Sequence, residues 1–86
     1  MTPETVFEEV TAILARYVPQ THRGARLTPD ARLEDLGIDS PQRIDILLDT
    51  EDRFRISIEE SRFERVATLG DLAGLVIDST AASASA

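Results

Sequence analysis

The sequence predicts an all-α fold: a four-helix bundle of three longer helices and one short one, with a long packed loop between helices 1 and 2. Three observations carry this. Apolar residues recur at three- and four-residue spacing in separate stretches, each opened by residues that cap helices. Strand-like alternation is confined to Arg55-Ile56-Ser57-Ile58, which is too short and has no partner. The 86 residues, 42% of them hydrophobic, supply one core and not a second.

The first helix opens at Thr2-Pro3-Glu4. A threonine hydroxyl caps, proline needs no N–H at the first helical position, and Glu4, Glu8 and Glu9 suit the positive end of the dipole. Val6, Val10, Ile13, Leu14 and Tyr17 form its apolar stripe, and Pro19 is expected to stop it near Val18. From Pro19 to Asp39 the periodicity breaks. A loop of that length needs anchoring inside a small domain, and Leu33 and Leu36 are the candidate pins, with Gly37 placed for a left-handed turn. Thr28-Pro29-Asp30 is suited to a short turn of helix.

Ser40-Pro41 opens the second helix, with Ser40 as expected N-cap and Pro41 as first helical residue. Its apolar face is read as Ile44, Leu47, Leu48 and on to Phe54, and its polar face as Asp45, Asp49 and Asp52. Ser57-Ile58-Glu59-Glu60 fits a capping box for a short third helix reaching about Val66 with Phe63 inward. Thr68-Leu69-Gly70-Asp71 starts the last helix, whose buried stripe is Leu69, Leu72, Leu75 and Val76. Residues 1–78 form the expected domain and 79–86, all Ser, Thr and Ala, a flexible tail.

Composition excludes much. Sixteen acids against nine basic residues, all of them Arg, leave a net charge of −7, which disfavours nucleic acid and anionic membranes as partners. With no Cys and only His22, thiolate metal sites, paired-His zinc sites and a self-contained Ser-His-Asp triad are out of reach. The twelve residues from Asp49 to Glu60 begin and end on acids, but Phe54 stands where a calcium loop needs Gly and Arg53 where it needs an oxygen, so no metal site is expected. No apolar run spans a bilayer and the acidic start is unlike a signal peptide. A cytoplasmic monomer without catalytic residues is the expectation.

Chemistry concentrates at Leu36-Gly37-Ile38-Asp39-Ser40 and the acidic helix after it. With Asp30-Ala31-Arg32-Leu33-Glu34-Asp35 before it, Ile44-Asp45-Ile46-Leu47-Leu48 and Glu51-Asp52-Arg53-Phe54 after it, and Val66-Ala67-Thr68-Leu69-Gly70-Asp71-Leu72 further on, this ordered set resembles the acyl carrier protein family. The resemblance implies a 4′-phosphopantetheine arm on Ser40, donated from coenzyme A by a phosphopantetheinyl transferase, with Asp39 helping to present the serine. It implies acyl intermediates carried as thioesters for fatty-acid, polyketide or related specialised synthesis, and an arm whose phosphate is favoured by the helix N-terminus. Aspartate before the serine looks like the acyl rather than the peptidyl branch. By the same resemblance an acyl pocket lies between helices 2 and 3, offering Leu47, Leu48, Phe54, Ile58, Phe63 and Val66.

Two positions depart from the pattern. Pro41 replaces the usual Leu after the serine, and Thr50 stands where an apolar residue is common; a polar Thr50 beside the pocket favours short or functionalised cargo. Residues 30–64 hold eleven acids against five arginines, a balance of −6. Beside a modifiable serine this charge, with Asp45, Asp49, Asp52 and Ile44 as contact residues, suits acyl-loading and acyl-processing enzymes with basic docking surfaces. The competing interpretation is an unmodified helical interaction module that keeps the carrier fold.

Overall fold

A computed structural model describes residues 2–22, 24 and 26–85, with only the backbone course over 81–85. Four helices follow in order: α1 (Pro3–Ala15), α2 (Ser40–Phe54), α3 (Glu60–Phe63) and α4 (Leu69–Ser85). Thr2 caps α1, its Oγ1 accepting the Thr5 N–H at 3.2 Å. The helix ends three residues before the expected Val18: at Arg16 and Tyr17 the N–H groups turn to Ile13 and Leu14 carbonyls, closing the helix ahead of Pro19. Its buried stripe is Val6, Val10, Ile13 and Leu14, as the spacing predicts, while Tyr17, the fifth expected member, falls beyond the shortened helix and is half-buried.

The loop between α1 and α2 is pinned as expected. Leu33 and Leu36 are buried, and Gly37 takes φ 80° to end a single 3₁₀ turn at Glu34–Leu36. Thr28-Pro29-Asp30 forms a turn, not helix, with the Ala31 N–H on the Thr28 carbonyl. Backbone bonds also tie the loop to the approach to α4: Leu33 N–H to Ala67 O and Leu69 N–H to Ala31 O, both 2.9 Å. Gly70 lets this crossing close up, since a Cβ there would lie 2.9 Å from the Pro29 carbonyl oxygen.

Helix α3 is a single turn. Its N-cap is Glu59 and makes no side-chain cap bond, so the predicted Ser57–Glu60 box does not form. Glu51 instead takes the neighbouring donor, accepting the Ile58 N–H at 2.8 Å. Helix α4 starts where predicted, with Thr68 Oγ1 accepting the Asp71 N–H and the Asp71 carboxylate accepting from Ala67 and Thr68. It runs to Ser85, past the Asp78 boundary suggested by composition, with Ser79 only 8% exposed; Ala86 of the expected tail lies outside the described residues. One aliphatic core joins α1, α2 and α4 with the pinned loop. No helix among the described residues is long and apolar enough to cross a membrane.

Candidate functional site

The site grows from the first turn of α2. Asp39, not Ser40, is the N-cap: its backbone is extended and its carboxylate accepts the Gln42 N–H at 3.1 Å, while the Gln42 side-chain oxygen accepts the Asp39 N–H at 3.1 Å. Gln42, three residues after Asp39, completes a reciprocal box that a Ser40 cap would lack. Ser40 therefore becomes the first helical residue and Pro41 the second. Ser40 is exposed, and among the described residues no hydrogen bond engages its hydroxyl. Backbone donors around it are largely spent. Gln42 N–H serves the Asp39 carboxylate, Arg43 N–H serves the Asp39 carbonyl, and Pro41 has none, so an anion here meets the helix dipole more than free amides.

Burial along α2 revises the expected faces. Ile46, Leu47 and Thr50 are the buried residues, while Ile44 and Leu48 are 46% and 56% exposed. Ile44 and Leu48 follow Ser40 at four-residue intervals and form an apolar strip leading away from it. Leu48 is thus no part of an interior pocket. Leu47, Ile58, Phe63 and Val66 do lie in the core, with Phe54 half-buried against it. The Thr50 hydroxyl donates to the Ile46 carbonyl at 2.7 Å, so it is satisfied within its own helix and adds no free polar group to the interior.

The three aspartates part company. Asp45 and Asp52 are exposed beside the apolar strip. Asp49 turns to α1, accepting the Tyr17 hydroxyl and an Arg16 N–H at 3.4 Å. That bond to Asp49, with partial burial and the charges of Asp49 and Asp45, pushes the Tyr17 phenol above its ordinary 10.0. Arg53 makes a second link from α2 to α1, its Nε donating to Glu9 at 2.7 Å.

Sequence reasoning missed Arg43 as a site residue. Half-buried, it donates to the Val66 carbonyl and lies over the Phe63 ring, 5.9 Å from the centroid. Its signal was its register, three residues before Ile46 and four before Leu47 on the inward face. Beside it a cleft of about 250 Å³ is lined by Ser40, Arg43, Ile44, Glu60, Phe63 and Glu64. Of the expected pocket residues only Phe63 borders it. Among the described residues no group of His, Asp and Glu is arranged to hold a metal ion.

An exposed serine at the head of a capped helix, flanked by an apolar strip and a cleft and, among the described residues, joined by hydrogen bonding to no base, has the outline of a carrier domain. His22 pairs instead with Thr21 Oγ1 at 2.9 Å. The family model for the phosphopantetheine attachment site matches residues 8–76. The acyl carrier protein of Thermotoga maritima is 27% identical over 74 residues, 85% of this chain and 89% of that one. That of Exiguobacterium sibiricum is 29% identical over 76 residues, covering 88% and 95%. Acyl carrier protein 3, chloroplastic, of Hordeum vulgare is 36% identical over 75 residues, 87% of this chain but 53% of that longer one. In fold, the crystal structure of the Thermotoga maritima acyl carrier protein matches with a TM-score of 0.73 at 20% identity, covering 91% of this chain and 89% of that one. The chain belongs to the acyl carrier protein family, whose prosthetic group is 4′-phosphopantetheine. It is a carrier and not an enzyme.

Proposed function

We propose that Ser40 bears the 4′-phosphopantetheine arm and that the chain delivers acyl groups between separate enzymes of fatty-acid, polyketide or related specialised synthesis in the cytoplasm, as a monomer. The arm supplies a terminal thiol, which this Cys-free chain lacks, and acyl groups ride on it as thioesters. The observation that carries the reading is the exposed, unengaged Ser40 hydroxyl at the first position of a fifteen-residue helix. Asp39 and Gln42 hold that turn in place, so the serine is presented with its backbone fixed.

Partners are read from the surface beside it. Ile44 and Leu48 offer an apolar contact strip and Asp45 and Asp52 a negative border, which together suit a phosphopantetheinyl transferase and acyl-loading and acyl-processing enzymes with basic rims. Asp49, tied to Tyr17 and Arg16, supports the platform from within the chain.

The test is mass spectrometry after incubation with coenzyme A, Mg²⁺ and a broad-specificity transferase; the ion belongs to the transferase reaction. Wild type gains one phosphopantetheine and Ser40→Ala gains none. An unmodified wild type would leave the helical interaction module as the better reading, and a modified Ser40→Ala would move the attachment site elsewhere.

A further inference from the structure

The cleft between α2 and α3 is lined by Ser40 itself, with Arg43 beside it. The cleft's inner wall is the buried Phe63 ring, and the Arg43 guanidinium lies over that ring while donating to the Val66 carbonyl. Leu47, Ile58 and Val66 are buried in the same core cluster as Phe63. An alkyl chain entering the core must separate the guanidinium from both partners. That takes the Arg43 donor from the Val66 carbonyl and sets a cation against hydrocarbon, both unfavourable. The space short of that barrier is a cleft of about 250 Å³, partly open to solvent. Its rim carries Glu60 and Glu64 as well as Arg43, while Ile44 and Phe63 give it a larger apolar lining.

We propose that Arg43 is the specificity-determining residue of this carrier: its guanidinium bars the core to aliphatic cargo, so the chain carries short acyl groups lodged at the surface beside Ser40. The proposal rests on Ser40 being the attachment site. It replaces Thr50 as the cause of a short-cargo preference, since the Thr50 hydroxyl is already bonded within α2.

The experiment loads the phosphopantetheinylated protein with acetyl, butanoyl, octanoyl and dodecanoyl groups, confirms loading by mass, and records melting temperature and the methyl resonances of Leu47, Ile58 and Val66. In wild type the melting temperature levels off by butanoyl and the three sets of methyls do not move with longer chains. In Arg43→Ala the octanoyl form melts at least about 4 °C above the butanoyl form and the methyls shift. Arg43→Gln, which keeps a donor for the Val66 carbonyl and drops the charge, serves if the alanine variant does not fold, and circular dichroism checks both. A wild type that stabilises steadily with chain length and moves its core methyls overturns the proposal, as do folded Arg43 variants as flat as wild type. If neither variant folds, the wild-type series alone decides. A wild type that gains no arm fails before any cargo is loaded, which sinks the attachment reading and this proposal with it and is distinguishable from failure of the gate alone.

Discussion

Replacing Asp39 separates scaffold from chemistry at the head of α2. In Asp39→Ala the Gln42 N–H loses its acceptor and the Gln42 side chain loses the geometry that returns it to the Asp39 N–H. Removing an N-cap of this kind costs about 1 kcal/mol, within a range of about 0.5–2. A domain of this size loses roughly 4–8 °C of melting temperature per kcal/mol, so a fall of about 4–8 °C is expected. Asp39→Asn keeps an oxygen acceptor and caps about as well, so its melting temperature should stay within about 2 °C of wild type. Thermal unfolding followed by circular dichroism at neutral pH reads both. The transferase reaction, run on the same samples, should slow for the alanine variant and stay within about twofold for the asparagine one, because Asp39 presents Ser40 by holding the turn. Two results refute this reasoning: an alanine variant that melts with wild type, or an asparagine variant that falls as far as alanine.

Reversing Asp45 and Asp52 to Lys should slow arm transfer with the fold retained, and the difference from wild type should shrink as salt rises, since exposed charges are screened over about 8 Å at physiological ionic strength. Asp49→Lys should instead lower the melting temperature, because Tyr17 and Arg16 lose their shared partner; a variant with unchanged melting and slowed transfer would return Asp49 to the docking face. Bonds from the Ala67 and Thr68 N–H groups, then the Thr68 hydroxyl, hold Asp71 below its ordinary 3.8 despite opposing desolvation. Its contribution is therefore present above that value and lost as pH falls through the lower folded one, so urea midpoints of wild type and Asp71→Asn should converge in that acid window. Parallel curves across it would count against the assignment.

What the sequence made legible follows from how local the deciding interaction is. The starts of α1 and α4 are set by caps and stripes within a few residues of one another, and both appear where the spacing places them. The serine was legible as a loop-to-helix junction but was displaced by one position, because Asp39 and Ser40 are both capping types and only Gln42 breaks the tie. On α2, Ile44, Ile46, Leu47 and Leu48 crowd into five positions, so a three- or four-residue period fits more than one face. Tertiary packing buries Ile46 and leaves Leu48 outside. Asp49 and Arg43 were unreadable for a different reason: their partners Tyr17 and Val66 lie 32 and 23 residues away.

Those long-range partners divide the labour of the domain. Toward α1, helix α2 is held by Asp49 to Tyr17 and Arg16 and by Arg53 to Glu9, so the row Ser40, Ile44, Leu48 stands on a helix braced from behind. Toward α3 the support is thinner. That helix is one turn long without a side-chain cap, and besides the Arg62–Asp78 pair at 3.5 Å its neighbourhood is joined to α2 through Arg43 and Glu51. A short, uncapped turn is the part of a small domain that opens at least cost. The exposed row thus stands on the braced helix and shares Ser40 and Ile44 with the cleft that opens toward the yielding α3. Arg43, with its backbone N–H in the first turn of α2 and its guanidinium on the segment after α3, links the two.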